Sequence, residues 1–326
     1  MRRTRTGGGI AAAALVVAVL AATGCGGTDD EGAASTAGTG AAASPLRVTA
    51  AFYPLEEAAR QVGGDRVRVT DLTPPGAEPH DLEPTPEAVA ALEDADVVLY
   101  LGDGFQPSVE KAVANLGDGH RAVDLLAGLR LRKPDSEVPG VRGESESEVL
   151  ADDSDPHVWV DPRNFETIVR RVRDALVAAD PAGRAAYDAG AARYLRTLGE
   201  LDASFASGLR ACRGRALVTS HAAFGYLADR YGLVQAPIAG IDPEQEPDPR
   251  SLAATAAFAK AHGVTTVFFE SLVPKDLART VADEIGARTD ALDPVEGIPQ
   301  DRLDRGASYV SIQRDNLRRL ERGLGC

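Results

Sequence analysis

Short apolar runs alternate with amphipathic segments along most of the chain. The strand-like runs begin at Leu46 and continue at 66–72, 96–102, 121–126, 214–220, 233–241, 264–271 and 287–294. Segments with apolar residues at helical spacing lie between and after them, at 84–95, 106–117, 163–179, 222–232, 248–263, 274–286 and 308–325. Because strands that alternate with helices form parallel sheets covered by helices, this order predicts an α/β protein.

One helical pattern is much longer than the others and separates two α/β series. It opens at Pro181 and runs for about 29 residues, which at ~1.5 Å per residue spans roughly 44 Å. Few globular helices are that long. We therefore predict two α/β lobes with central parallel-type sheets joined by one long rigid α-helix. The predicted bounds are 46–180 for the N-terminal lobe, 181–212 for the linking helix and 213–326 for the C-terminal lobe.

The first residues have the composition of an export signal. Arg2, Arg3 and Arg5 precede an apolar run at 10–22, which is of signal-peptide length and too short to span a bilayer comfortably. The run ends in "LAATGC", which resembles the lipobox of bacterial lipoproteins. This resemblance implies a lipoprotein signal peptide at 1–24, cleavage before Cys25 and lipidation of its thiol. An ordinary signal peptide with a chance cysteine is the alternative.

Residues 25–45 are mainly glycine, alanine, serine, threonine and acids, and they predict a flexible tether. With the lipid on Cys25, the protein is expected outside the cytoplasm, anchored to the outer face of the cell membrane. Cys212 and Cys326 then remain as a possible disulfide in an oxidising compartment, with two free thiols as the alternative. The net charge of −14 argues against nucleic acid as a partner, because phosphate binding needs a basic face.

Residues 132–156 interrupt the α/β alternation. The segment is acidic, contains proline and glycine, and has few apolar residues, which predicts an exposed loop. Loops of this length inside a compact domain are usually functional or disordered. Its carboxylates are able to attract cations weakly, and a merely solvated acidic loop is the simpler interpretation.

Three of the five histidines share one context. His80, His157 and His221 each lie beside a strand-like run and precede a helix, and Asp293 stands in the same relation to the last strand. In open α/β sheets, ligands bind in the crevice beyond the carboxyl ends of the strands. Because these residues are far apart in the sequence, no local zinc motif can contain them, and the fold must assemble the site. Three imidazoles and one carboxylate suit Zn²⁺, whereas Mn²⁺ prefers more oxygen ligands.

Several longer stretches resemble one known family. "PPGAEPHDLEPTP" (74–86), "DPHVWVDP" (155–162), "VTSHAAFGYLADRYGL" (218–233), "FFESLVPK" (268–275) and "LDPVEG" (292–297) are similar to motifs of the cluster A-I metal-binding lipoproteins, the substrate-binding proteins of zinc and manganese ABC transporters. The resemblance runs from about Leu46 to the C-terminus.

The resemblance implies a ligand set and a partner. Its metal ligands map to His80, His157, His221 and Asp293, and its partner is the membrane permease of an ABC transporter. In some zinc members water replaces the carboxylate, so that the fourth ligand is Asp293 or water. Manganese members often carry glutamate at the third position, so His221 points to zinc. The segment at 132–156 lacks the histidines that many zinc members carry there.

The sequence therefore predicts a monomeric, non-enzymatic lipoprotein that captures Zn²⁺ between two lobes and delivers it to an ABC importer. Zinc affinity is expected to fall as pH drops through roughly 6.5, because imidazole must be neutral to bind metal. Asp81, Glu83 and Asp161 are candidates to orient the imidazoles, and Trp159 is expected to pack near the site or simply in the core.

Three alternatives stay open at this point. The first is a manganese-binding member of the same family. The second is a secreted zinc hydrolase, in which Asp293 does not bind and leaves an open position for water, although no clear general-base motif is present. The third is an adhesive surface lipoprotein in which a metal is structural.

Overall fold

The computed structural model describes residues 44–117, 119–133, 138, 141 and 154–326. The predicted signal peptide, Cys25, almost all of the tether and most of the acidic segment lie outside the described residues. Ser44–Cys326 form one compact unit. None of the helices in the described ranges is both long and apolar enough to cross a membrane.

The N-terminal half contains a four-stranded parallel sheet. Its elements are β1 (Leu46–Ala50), α1 (Tyr53–Gly63), β2 (Val67–Asp71), α2 (Pro86–Glu93), β3 (Val97–Tyr100), α3 (Pro107–Ala114) and β4 (Ala122–Asp124). The strand order is β2-β1-β3-β4, with every pair parallel. The sequence analysis did not predict α1, although it buries apolar residues on one face, among them Leu55, Ala58 and Val62.

The C-terminal half repeats this topology. After α4 (Pro162–Ala179) and α5 (Arg184–Gly208) come β5 (Ala216–Thr219), α6 (Gly225–Tyr231), β6 (Val234–Pro237), α7 (Pro249–Ala261), β7 (Thr266–Phe269), α8 (Asp276–Ile285), β8 (Arg288–Ala291), α9 (Gln300–Leu303) and α10 (Tyr309–Leu324). The strand order is β6-β5-β7-β8, again all parallel. The predicted fold class, two parallel-sheet α/β lobes with one long helix, is confirmed.

Both sheets reverse their winding direction at the same place in their order. Consecutive connections leave β1 in one direction and β3 in the other, and the same holds for β5 and β7. The crevice at the carboxyl ends of such a strand pair is where open α/β sheets bind ligands. The repeated topology therefore provides two equivalent crevices, one in each lobe.

The long helix α5 is shorter than predicted. It has 25 residues, about 38 Å at ~1.5 Å per residue, because Pro181–Gly183 form a 3₁₀ turn before it. It contacts α1 and α4 of the N-terminal half and α10 of the C-terminal half. Cys212 lies just beyond its end and forms a disulfide with Cys326, which is the pairing expected from the sequence.

Gly190 lets α5 approach α1 closely. A Cβ atom at this position would overlap the carbonyl oxygen of Val62 at the end of α1. Gly199, in the same helix, faces open space, because a Cβ atom there would have no neighbour within 4 Å. The two glycines are therefore in the same helix but under opposite constraints.

We predict opposite effects of alanine at these two positions. Gly190→Ala should lower the free energy of unfolding by about 1–3 kcal/mol, because the new methyl group forces the two helices apart. Gly199→Ala should raise it by roughly 0.5–1 kcal/mol, because alanine loses less entropy in a helix. Denaturant unfolding of both variants measures this difference, and equal effects would contradict the close approach of α1 and α5.

Candidate metal centre

His80 lies in the segment that follows β2. Its ring packs edge-on against Phe105, with centroids 4.7 Å apart. The preceding carbonyl, of Pro79, accepts a hydrogen bond of 3.1 Å from the buried amide of Gln106, which lies in the segment after β3. The backbone N–H of His80 donates to Glu78 Oε2 at 2.9 Å. The end of β3 therefore holds the His80 segment over the first crevice.

His157 lies where the chain re-enters the fold before α4. It directly precedes a 3₁₀ turn at Val158–Val160 and is fully buried. Its Nδ1 atom lies 2.9 Å from Asp155 Oδ1, which also accepts from the His157 backbone N–H at 3.0 Å. Asp155 thereby orients the imidazole and leaves Nε2 free to face the crevice.

His221 follows β5 directly, at the second crevice. Glu270 follows β7, the neighbouring strand across that crevice, and its Oε1 atom lies 2.5 Å from His221 Nδ1. The backbone carbonyl of His221 accepts hydrogen bonds from Thr219 Oγ1 at 2.7 Å and from the Gln235 amide at 3.0 Å. The two strands at the switch point thus supply both the imidazole and the acid that orients it.

The three histidines converge although they are far apart in the chain. His157 Nε2 lies 3.3 Å from His80 Nε2 and 3.3 Å from His221 Nε2. Glu296 Oε1 lies 3.2 Å from the Nε2 atom of His157, 3.4 Å from that of His221 and 3.7 Å from that of His80. Donors about 2.0–2.1 Å from a tetrahedral zinc ion are separated by about 3.3–3.4 Å. The spacing of this group therefore fits Zn²⁺.

The structure does not bring Asp293 into this group. Among the described residues, the one group with metal-ligand spacing is His80, His157, His221 and Glu296, with ligand atoms within 4.8 Å of one another. Asp293 Oδ2 accepts from Arg302 at 2.8 Å and from Ser271 at 3.1 Å, and Oδ1 accepts from the Val295 backbone N–H at 2.9 Å. These three hydrogen bonds hold the Asp293 carboxylate at the start of the segment that leads to Glu296.

That turn is what presents Glu296. Val295 has a φ angle of 62°, an unfavourable conformation for a β-branched residue. The hydrogen bond from its N–H to Asp293 holds it there, and the chain then directs Glu296 towards the imidazoles. Such strain is found where the surrounding structure enforces a functional geometry. The sequence motif "LDPVEG" contains both acids, and the backbone conformation of Val295 between them gives their side chains different positions.

Glu296 has an unsatisfied oxygen. The residue is 1% exposed, and its Oε1 atom has no hydrogen-bond partner of acceptable geometry among the described residues. Glu78 Oε1, 4.0 Å from His80 Nε2, also has no such partner. Buried polar atoms are normally paired. A cation among the three Nε2 atoms would satisfy the Glu296 oxygen directly, so the residues present fit a bound metal ion.

The acids around the site change the pKa values of its histidines. Burial lowers the pKa of His80. Burial also opposes the charged form of His157, but Asp155 and Glu296 outweigh it and raise its pKa. For His221 the charges of Glu270 and Glu296 likewise overcome burial, and the pKa lies well above its ordinary value. Without metal, His157 and His221 therefore favour the protonated form more than an ordinary imidazole does.

The three acids that the sequence analysis offered as orienting partners, Asp81, Glu83 and Asp161, have no hydrogen bond to the imidazoles among the described residues. Asp161 caps α4 by accepting from the Arg163 N–H at 3.0 Å, Glu83 accepts from Ser108 at 2.8 Å, and Asp81 is exposed. The orienting acids are instead Asp155 and Glu270, which the sequence analysis did not select. Trp159 lies beside His157, with ring centroids 5.1 Å apart, and is 1% exposed. It is both a neighbour of the site and part of the core.

The sequence matches the model of one protein family over residues 48–323, described as zinc-uptake complex component A, periplasmic. The chain belongs to this family.

The chain is also similar to individual zinc-binding proteins. It is 34% identical to the high-affinity zinc uptake system protein ZnuA of Bacillus subtilis, with 92% of each chain covered. It is 33% identical to the zinc-binding lipoprotein AdcA of Streptococcus pneumoniae, of which it covers only 55%. The solved structure of the Zn(II)-bound ZnuA-like domain of that AdcA superposes with a TM-score of 0.71 at 31% identity, covering 86% of this chain and all of the domain. The family resemblance drawn from the motifs is confirmed.

We predict that metal binding displaces protons from this family member. Zinc requires neutral imidazoles, and the raised pKa values of His157 and His221 mean that protons compete at neutral pH. Zinc affinity should therefore fall as pH drops from about 8 towards 6, beginning above the ordinary imidazole pKa of about 6.5. Competition titrations at several pH values, with calorimetry in buffers of different protonation enthalpy, should show more than one proton released per zinc ion.

A variant outside the site provides the control. His262→Gln removes an exposed histidine whose Nδ1 atom contacts the Phe258 carbonyl at the end of α7. It should leave both the pH profile and the proton count unchanged. A wild-type affinity that does not vary over this pH range would contradict the competition between protons and metal.

Proposed function

We propose that this protein captures Zn²⁺ with His80, His157, His221 and Glu296 and delivers it to the membrane permease of an ABC importer. One observation carries the proposal: four buried donor atoms from distant parts of the chain lie at the spacing of a tetrahedral zinc site. Membership of the zinc-uptake family and the zinc-binding relatives support it. The proposal replaces Asp293 by Glu296 as the fourth donor.

The donor set favours zinc over manganese. Three imidazole nitrogens and one carboxylate form a compact four-coordinate shell, whereas Mn²⁺ favours sites richer in oxygen. Asp155 and Glu270 hold two of the imidazoles from their far sides. Preorganised ligands bind metal more tightly because less ordering is needed on binding.

The same geometry supports a carrier rather than a hydrolase. A catalytic zinc site keeps one position for water, but here Glu296 supplies a fourth protein donor. All four donors are at most 7% exposed, which leaves little room for a substrate beside the ion. We infer that the protein is not an enzyme and that it acts as a monomer which holds its cargo until it meets the permease.

The export signal and Cys25 complete the proposal. We propose that the chain is cleaved before Cys25, lipidated there and held at the outer face of the cell membrane by the predicted tether. The "LAATGC" motif supports this assignment. The relative AdcA of Streptococcus pneumoniae carries the name lipoprotein.

The ligand assignment predicts an order among three variants. His221→Ala and Glu296→Gln should each weaken zinc binding by roughly a hundredfold or more, because the first removes a donor and the second removes the negative charge that faces the ion, and each loss costs at least as much as losing an orienting partner. Asp293→Asn should weaken it far less, since asparagine retains an oxygen that can accept from the Val295 N–H. Competition against a chromophoric chelator measures all three.

The reverse order, with Asp293→Asn more damaging than Glu296→Gln, would reject Glu296 as the donor. The same preparations test the competing functions. Tight zinc binding in preference to Mn²⁺, without turnover of an ester and peptide panel, is expected of a zinc carrier. Metal-stripped protein should keep its circular dichroism and cooperative melting; its unfolding would favour a structural metal.

The anchor is tested in a host that secretes lipoproteins. The full chain should enter the detergent phase of a phase-separation assay, and Cys25→Ala should remain in the aqueous phase because the acyl chains are lost. An unchanged distribution of Cys25→Ala would contradict lipidation at this cysteine.

A further inference from the structure

The acidic segment leaves and re-enters the fold beside the metal centre. Its described ends meet in an isolated antiparallel bridge between Arg132 and Asp155, where the Asp155 N–H donates to the Arg132 carbonyl at 2.8 Å. Asp155 is the acid that orients His157. The stem of this segment is therefore two residues from a proposed zinc ligand.

The guanidinium of Arg132 connects this stem to the C-terminal half. Its Nε atom donates to Asp229 Oδ2 at 2.6 Å, and its Nη1 atom lies 3.4 Å from Asp155 Oδ2. Asp229 belongs to α6, the helix that follows His221. Gly225, the first residue of α6, leaves space for the guanidinium, because a Cβ atom there would overlap Arg132 Nη1.

Tyr226 makes a second connection at the same place. Its hydroxyl donates to the Asp155 carbonyl at 2.7 Å and accepts from the Arg132 backbone N–H at 2.8 Å. We call Arg132, Asp155, Tyr226 and Asp229 the Arg132 clasp. It joins the segment that carries His157 to the helix that follows His221. These two ligands come from opposite halves of the molecule.

The clasp acts on the metal centre through one carboxylate. Asp155 places Oδ1 on His157 Nδ1 and Oδ2 towards Arg132, and it is 1% exposed. A buried carboxylate needs a partner to remain charged and in place. Without Arg132, one oxygen of Asp155 would lose its cation, and the hold on His157 would weaken. At the same time, the stem would lose its side-chain link to Asp229, and only the two hydrogen bonds of Tyr226 would connect it to α6 within the clasp.

We propose that Arg132 is a positioning residue that sets how long the protein retains zinc. This inference rests on the proposed function. The clasp keeps the His157 and His221 segments together, and its breakage is the local step that precedes release of the ion. Its loss should therefore affect the dissociation rate more than the association rate.

The test compares zinc release from wild type, four single variants and one double variant, all loaded with zinc. Each is mixed with a large excess of a chromophoric chelator, at concentrations where the rate no longer depends on the chelator. Arg132→Gln should release zinc roughly tenfold faster than wild type, in the range found when partners outside the ligand shell are removed. Arg132→Lys should be intermediate, because a single ammonium cannot reach both Asp155 and Asp229 as the guanidinium fork does.

Two further variants separate positioning from general stability. Arg173→Gln loses the same charge, and Arg173 also pairs with an acid, Asp188 of α5, at 2.8 Å, but this pair includes neither the His157 segment nor α6. It should release zinc within about twofold of wild type, as for a residue with no tie to the ligands. Asp229→Asn should accelerate release, and combining it with Arg132→Gln should add little, because both break one bridge.

The outcomes are distinct. Faster release in Arg132→Gln than in Arg173→Gln, with similar melting temperatures of the metal-free forms, supports the proposal. Equal release from these two variants would overturn it, as would additive effects of Arg132→Gln and Asp229→Asn. Should Arg132→Gln not fold, Arg132→Lys and Asp229→Asn decide the question in the same assay. Failure of the proposed function itself would appear differently, as wild-type protein that binds no zinc.

Discussion

The site depends on a carboxylate, Glu296, buried against three imidazole nitrogens. Around these donors lie two more buried acids, Asp155 and Glu270, and the stem residue Arg132. In the metal-free centre the raised pKa values of His157 and His221 favour protons on these imidazoles, whereas zinc requires both to be neutral. Burial and the charge of Glu296 raise the pKa of Glu78 to about 8, which favours its neutral form at neutral pH. Zinc and protons therefore compete for the same imidazoles, His157 and His221.

The duplicated topology makes this centre possible. Each half has a parallel sheet that changes winding direction between two neighbouring strands, and each thus has a crevice at its strand ends. The first crevice supports His80 through the segment after β3, and the second supplies His221 and Glu270 from β5 and β7. The long helix α5 contacts helices of both halves and thereby holds the two crevices next to each other. Trp159 reinforces this by donating across the centre to the Pro294 carbonyl at 2.9 Å.

Much of this arrangement could be predicted from local patterns. Apolar runs and helical periodicity indicated all eight strands and most helices, since these signals depend on neighbours in the chain. Helix α1 was missed, although it buries Leu55, Ala58, Ala59 and Val62 on one face. The three histidines were found because each lies in a segment between a strand-like run and a predicted helix. Asp155 and Glu270 were missed as orienting acids, although both lie in the motifs, because nothing local shows which acid faces an imidazole.

The sequence by itself determined the α/β class, the family and the three imidazoles of the candidate centre, because these follow from local periodicity and from short motifs. Only the tertiary structure shows that Glu296, and not Asp293, lies beside these imidazoles. Both acids follow β8, and their roles are separated by one backbone conformation, the positive φ of Val295, and by the distant partners Arg302 and Ser271 that occupy Asp293. The link from Arg132 to α6 likewise joins residues about a hundred positions apart. Contacts of that kind arise from packing of the whole chain, so no local pattern can report them.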